Sequence, residues 1–166
     1  IIAVSPSLRR SVIKNRLIHP SKISVIHNGS CNGVDAEGKF NPDKIDKLAI
    51  ESLYQKHQIP KNQPIVGFVG RLTNDKGIRE LYNAWQLVKQ KFPKATLLLI
   101  GGEDERQKPS KELLQKISAD KNIIRINHKS NIEDYYALMD FLVLPSYREG
   151  FGNVVLEAAA MGKPAV

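Results

Sequence analysis

From residue 60 onward, short apolar runs rich in β-branched residues alternate with stretches of helical spacing. The runs fall at Ile65–Val69, Thr96–Ile100, Ile123–Ile126 and 141–144, and Ala165-Val166 opens another. Between the first two, Ile78, Leu81, Tyr82, Trp85 and Val88 recur at about 3.6-residue intervals, which predicts an amphipathic helix over 78–91. Leu113, Leu114 and Ile117 mark a second helix, and Ile132, Tyr135, Tyr136 and Met139 a third. A fourth covers 154–161, ended by Gly162 and Pro164. Continuous apolar strands, each followed by a helix, are covered on both faces and pair in parallel. The pattern therefore predicts an α/β fold: a Rossmann-like, doubly wound parallel sheet with its ligand crevice at the carboxyl ends of the strands.

The first 60 residues follow a different pattern. They predict a strand at 1–4, a helix at 7–18, a strand at 22–26, an irregular stretch at 27–42 and a helix at 43–57, with turns at Asn28-Gly29, Asn32-Gly33 and Gly38. Residues 1–42 are expected to be the end of a preceding domain and its crossover, and 43–166 the main α/β domain. The chain opens without a methionine and stops inside an apolar strand, leaving a sheet edge with nothing to cover it. These ends set the expectation of a piece of a longer protein, truncated at its carboxyl side.

Composition narrows the class. Hydrophobic residues are 42% and charged residues 25% of 166, ordinary for a soluble globular domain. No apolar run approaches the roughly 18–20 residues that span a membrane. Cys31 is the single cysteine, so an internal disulfide and a Cys-rich metal site are excluded, and a reducing cytoplasm is the expected setting. The net charge of +8 attracts phosphates, nucleic acids and anionic lipids alike. Arg9, Arg10, Lys14, Arg16 and Lys22 cluster near the start, and can be read as a solvated helix face or as a patch for a membrane or partner.

Two loops carry candidate chemistry. Gly70-Arg71-Leu72-Thr73-Asn74-Asp75-Lys76-Gly77 follows the run at 65–69, where an open α/β sheet binds ligands. Arg71 offers a planar fork for phosphate oxygens and Lys76 a mobile point charge, which together suit a departing diphosphate. A basic turn leading into the helix at 78–91 reads equally well from these residues alone. The second loop, Pro145-Ser146-Tyr147-Arg148-Glu149-Gly150-Phe151-Gly152-Asn153, runs into a helix at 153–161. Gly150 and Gly152 bare the backbone before a helix start, where free N–H groups and the dipole favour an anion. Glu157, in the first turns of that helix, leans back toward the same end as Glu149. Carboxylates there could accept hydrogen bonds from sugar or ribose hydroxyls; a charged loop residue and a dipole-stabilising glutamate are the plainer alternatives.

Other motifs fail. No Gly-x-Gly-x-x-Gly is completed, because Val155 stands at the last position, and Lys76-Gly77 lacks the context of a Walker loop. Glu103-Asp104-Glu105 reads as a charged surface turn rather than a metal site. His19, His27, His57 and His128 have no ligand spacing, so no metal is expected. The 11 aromatic residues do not interleave with the basic ones, so nucleic acid is not an expected partner.

Several segments resemble glycosyltransferase family 4, the retaining, nucleotide-sugar-dependent enzymes of the two-domain GT-B fold. They are Phe68-Val69-Gly70-Arg71-Leu72, Lys76-Gly77, Leu144 through Gly152, and Leu156-Glu157-Ala158-Ala159-Ala160-Met161-Gly162-Lys163-Pro164. Seven residues separate Glu149 from Glu157, as in the family's signature. Ala3-Val4-Ser5 and Val25-Ile26-His27-Asn28-Gly29 resemble the end of the first domain and the crossover, so the likeness runs along nearly the whole chain.

The resemblance implies that 43–166 is a donor-binding domain, one half of a GT-B fold. Arg71 and Lys76 would bind the donor diphosphate, helped by Gly70 and by backbone amides of Gly150, Phe151, Gly152, Asn153 and Val154. Glu149 would hold the sugar, Glu157 the ribose, and Ile126, Asn127 and His128 the base. The implied substrate is a UDP-sugar or GDP-sugar, without cofactor or metal; retention would be front-face, with no protein nucleophile. The family's acceptor domain is a missing partner, so 166 residues alone are expected not to transfer sugar. Gly29-Ser30-Cys31-Asn32-Gly33-Val34-Asp35 resembles bacterial transferases that build capsules and lipid-linked oligosaccharides, implying a lipid-linked acceptor at the inner face of the cytoplasmic membrane. Another nucleotide-sugar enzyme on this fold, or a non-catalytic nucleotide-binding module, is the alternative.

Overall fold

The computed structural model describes residues 1–27, 33–104, 106–127 and 131–166. Four parallel strands form one sheet: β1 (Ile65–Val69), β2 (Thr96–Ile100), β3 (Ile123–Ile126) and β4 (Phe141–Leu142), in the order β3-β2-β1-β4. Helices α1 (Pro6–Lys14) and α2 (Lys47–Lys56) precede the sheet. Within it, α3 (Ile78–Lys91) joins β1 to β2 and α4 (Lys111–Ala119) joins β2 to β3. The chain then crosses by α5 (Ile132–Leu138) to β4, and α6 (Asn153–Ala160) follows.

The strands alternate their side chains between two cores. Val66, Phe68, Leu97 and Leu99 pack with Ile78, Leu81 and Trp85 of α3 and Leu113 and Ile117 of α4. Ile65, Leu98, Ile100 and Leu142 pack on the opposite face with Leu53 of α2, Tyr135, Tyr136 and Leu138 of α5, and Ala158 of α6. Helices thus cover both faces, and the doubly wound parallel sheet expected from the apolar runs is present. Removal of this apolar area from water, at about 25 cal/mol per Å², is the main favourable contribution to the fold.

Boundaries differ from the sequence pattern where polar side chains intervene. The helix expected at 7–18 stops at Lys14, because the Asn15 amide donates to the Ser11 carbonyl at 2.8 Å and Arg16 turns left-handed (φ 56°). The helix expected at 43–57 begins at Lys47; Asp46 caps it, accepting from the Leu48 N–H at 2.8 Å, and Pro42–Lys44 forms a separate 3-10 turn. The strands expected at 1–4 and 22–26 reduce to one parallel bridge, Ile2 with Ser24.

Regular β4 spans two residues rather than 141–144, although pairing continues. Val143 donates to the Gly67 carbonyl and Leu144 to Val166, both at 2.8 Å, before Pro145 ends the ladder. Ala165 bridges Leu142 in parallel, so the run opening at 165 adds to the sheet beyond β4.

Candidate functional site

The strand order reverses at β1. The chain moves outward from β1 through β2 and β3, then returns to pair β4 on the other side of β1. Loops leaving β1 and β4 therefore part around a crevice, the usual ligand position in an open α/β sheet. These are the loops that sequence reasoning singled out, 70–77 and 145–153.

Backbone contacts fix the two loops to each other. The Tyr147 N–H donates to the Asp75 carbonyl at 2.9 Å. Gly77 is left-handed (φ 69°), and a Cβ there would overlap the Pro145 carbonyl oxygen. Only glycine satisfies both the conformation and the close approach. Across this junction Lys76 Nζ donates to Glu149 Oε1 at 2.5 Å, with the side chains 16% and 28% exposed. Two residues 73 apart in sequence meet in the crevice. Beside them, the Thr73 hydroxyl donates to Asp75 Oδ1 at 2.6 Å and holds that carboxyl below its usual range.

Arg71 takes a different partner. Its guanidinium pairs with Asp104 in the loop after β2, while Glu103 accepts from Lys108 at 2.9 Å and from Arg125 at 2.5 Å. Hydrogen bonds from Lys108 and Arg125 keep Glu103 below the ordinary carboxylate range. The Arg106 N–H, and then Arg71, do the same for Asp104. Both carboxylates are thus engaged by cations; Glu105 lies outside the described residues. Among the described residues no group of His, Cys, Asp and Glu is arranged to hold a metal ion.

Glu157 is positioned by a residue whose polar role the sequence did not reveal. The Tyr136 hydroxyl of α5 donates to Glu157 Oε2 at 2.7 Å and also approaches the Val154 carbonyl at 3.3 Å. Burial, reinforced by Glu157, pushes the Tyr136 phenol far above its ordinary value, so it stays a proton donor. Its place in the helical repeat marks Tyr136 as core, and the one available signal was that a buried phenol needs a partner. Gly152 is left-handed (φ 81°) at the N-cap of α6, and no side chain of the described residues caps that helix. The backbone at Gly150, Phe151, Gly152, Asn153 and Val154 thus stands at a helix start, where the dipole favours an anion.

The structure does not bring every candidate together. Ile126 ends β3 and Asn127 follows it, separated from β1 by β2, and the Ile126 carbonyl accepts from the Gly101 N–H at 2.8 Å. His128 lies outside the described residues. Gly70 donates its N–H to the Ile100 carbonyl at 2.9 Å, joining the loops that follow β1 and β2.

Known proteins share this fold. Residues 49–166 match the family described as glycosyl transferases group 1. The chain is 34% identical over its whole length to the capsular polysaccharide biosynthesis glycosyltransferase CapM of Staphylococcus aureus, covering 42% of that protein. It is 32% identical over 93% of its length to a Campylobacter jejuni enzyme, N,N'-diacetylbacillosaminyl-diphospho-undecaprenol alpha-1,3-N-acetylgalactosaminyltransferase, covering 38% of it. Among solved structures it superposes on Anabaena Alr3699/HepE in complex with UDP and glucose with a TM-score of 0.77, at 26% identity, over 99% of this chain and 42% of that one. A Rickettsia africae glycosyltransferase gives 0.79 at 27% identity, with the same coverage. The chain spans about two-fifths of the length of these relatives, and its sheet is that of one half of a GT-B fold. On the family match and these identities, the chain belongs to the glycosyl transferases group 1 family.

Proposed function

We propose that this chain supplies the donor site of a retaining glycosyltransferase of family 4, which moves a sugar from a UDP-sugar or GDP-sugar to an acceptor. The observation that carries the reading is the Lys76–Glu149 pair, 2.5 Å apart across the two loops of the switch point. Such a pair is exchangeable. When a diphosphate enters, its oxygens replace Glu149 around the Lys76 ammonium, and the freed carboxylate accepts from sugar hydroxyls. Arg71 adds a bidentate grip by leaving the exposed Asp104 pair. The α6 start offers N–H groups from Gly150 to Val154 to the same anion. Glu157, held by Tyr136, receives the ribose, and the base lies toward Ile126, Asn127 and His128.

The chemistry asked of these residues is charge stabilisation. The bond from the anomeric carbon to the diphosphate oxygen breaks, and its electron pair leaves on the phosphate. The acceptor oxygen bonds to that carbon on the same face, and the acceptor proton passes to the departing phosphate. Arg71, Lys76 and the helix start stabilise the charge as it builds. No nucleophilic side chain, cofactor or metal is required of the chain. The HepE structures with UDP, and with UDP and glucose, support a nucleoside diphosphate as ligand.

The relatives support a bacterial polysaccharide, capsule or lipid-linked oligosaccharide as the product. The first 34 residues hold Arg9, Arg10, Lys14, Arg16 and Lys22 and no acidic residue, which favours an acceptor at an anionic membrane face. Among the described residues no helix is long and apolar enough to cross a membrane.

Calorimetry of the 166-residue chain with UDP, GDP and ADP tests the donor site. Saturable binding to one of them is expected, weakened about tenfold or more in Arg71→Ala and in Glu157→Ala. Binding that ignores both substitutions, or that follows any polyanion and vanishes with salt, overturns the reading. Turnover is expected only once the remainder of the protein, with its acceptor domain, is present.

A further inference from the structure

At the amino ends of the strands, three polar side chains stay out of the scaffold's own bonding. Lys94 and Lys121 stand two residues before β2 and β3, and neither forms an ion pair among the described residues. Thr96 opens β2 and is 3% exposed, yet its hydroxyl has no hydrogen-bond partner among the described residues. All three line one groove of about 330 Å³, together with His57, Gln58 and Asn122.

We propose that this groove is a second anion site, which takes the phosphate of a small soluble phosphomonoester at the end of the sheet opposite the donor crevice. Five-residue strands hold the two sites about 15 Å apart, so the proposal does not depend on the donor reading. The groove's lining includes no carboxylate. Asp120, next to Lys121 in sequence, is taken up by Lys89 and the Asn122 N–H. Two ammonium groups are compact point charges that suit a phosphomonoester, which carries roughly −1.5 to −2 at neutral pH. The volume lies near the lower end of the roughly 300–1,000 Å³ typical of small-molecule sites, which favours a compact ester over a nucleotide.

Thr96 provides the independent observation. By strand alternation it shares a face with Leu98 and Ile100, which are apolar core. A buried hydroxyl on such a face ordinarily has a partner. This one lines the groove, where it can donate to a phosphate oxygen held between the two lysines. The walls are already fixed: the Asn122 amide donates to the Pro93 and Ala95 carbonyls at 2.9 and 2.8 Å, and His57 Nε2 lies 3.4 Å from the Tyr135 hydroxyl. The basic helix α1 stands beside residues 147–150 at the other end of the sheet, so a membrane bound there leaves this groove facing solution.

Backbone amide NMR shifts of the chain, titrated with glycerol 3-phosphate and with inorganic phosphate at constant ionic strength, test this. Saturable shifts are expected at 57–60, 94–96 and 121–124. Lys94→Gln and Lys121→Gln should each weaken binding about fivefold, and Thr96→Val, which keeps the branched shape, about threefold. Arg71→Ala, which disarms the donor crevice, should leave the response at these amides within about twofold. Shifts that chloride reproduces, or that spread over the surface lysines without saturating, overturn the proposal. Sensitivity to the lysines with indifference to Thr96→Val would reveal a diffuse basic surface and equally overturn it. So would protection of these amides by phosphatidic acid vesicles while both soluble ligands leave them unmoved, since the phosphate would then belong to a lipid headgroup. Failure of the donor reading would appear separately, as absent UDP binding with the phosphate titration unchanged.

Discussion

The two ends of the sheet use the same kinds of polar residue for opposite purposes. At the amino ends, side chains bond within the scaffold, mostly to its own backbone. Asp140 accepts from the Ile65 N–H at 2.7 Å, and the Asn122 amide donates to the Pro93 and Ala95 carbonyls at 2.9 and 2.8 Å. Asp120, its side chain 7% exposed, takes Lys89, the Gln86 amide and the Asn122 N–H together. At the carboxyl ends the bonds run from side chain to side chain between loops, as in Lys76 with Glu149 and Arg71 with Asp104. A bond to backbone cannot be surrendered without disturbing a strand. A pair between two side-chain tips can be exchanged for ligand atoms while the fold stays intact.

The comparison breaks first at Gly77, where the carboxyl end depends on backbone. Gly77→Ala forces a left-handed alanine whose Cβ meets the Pro145 carbonyl, and Gly77 is also the N-cap of α3. A loss of about 2–3 kcal/mol in urea unfolding is expected, with weaker UDP binding because the two loops move apart. Unchanged stability would show that the loop junction is not fixed by this contact.

Asp120 sharpens the other side. Asp120→Ala leaves Lys89 and the Asn122 N–H without their partner and should cost about 2 kcal/mol, while UDP affinity stays within about twofold. Burial pushes the Asp120 carboxyl up, but Lys89, Asn122 and Gln86 outweigh it and the net shift is downward. A depressed folded value means its contribution is present above the unfolded carboxyl value of 3.8 and is lost as pH falls below it. Asp120→Asn should therefore flatten the decline of stability on acidification below about pH 4. An equally steep decline in the variant would move the acid sensitivity elsewhere.

What the sequence disclosed depended on how far apart the cooperating residues are. The doubly wound sheet was legible because each strand and helix carries its own period, and Leu97 and Leu98 point to different cores as successive strand positions must. The bounds of the first two helices were not, since Asn15 turns the chain by a side-chain bond that periodicity does not register, whereas α3 spans the expected 78–91. Both site loops were legible from their place after strands. Their junction was not: Lys76 and Glu149 meet only once the strand order puts β4 beside β1. Arg71 shows the converse, because a guanidinium read as a phosphate grip pairs with Asp104 from a turn that reads as plain surface. Tyr136 was hidden by its own burial, its spacing being that of any core residue.

Tyr136 also gives the smallest and most discriminating test, because it joins a core position to a site carboxylate. Tyr136→Phe keeps the ring in the core and removes only the hydroxyl that donates to Glu157 Oε2. A stability loss of about 1 kcal/mol is expected, since the partly exposed Glu157 regains water. A purely structural tyrosine would change nothing more. If the hydroxyl aims Glu157 at the ribose, the variant also loses selectivity between UDP and its 2′,3′-dideoxy counterpart, by about threefold, while binding of the dideoxy compound itself is unchanged. The phenol stays protonated far above the ordinary tyrosine value of 10.0, so the selectivity of the unsubstituted chain should be flat from pH 6 to about 9. Selectivity that survives Tyr136→Phe would mean that Glu157 needs no such support, and that the hydroxyl belongs with the scaffold bonds at the far end of the sheet.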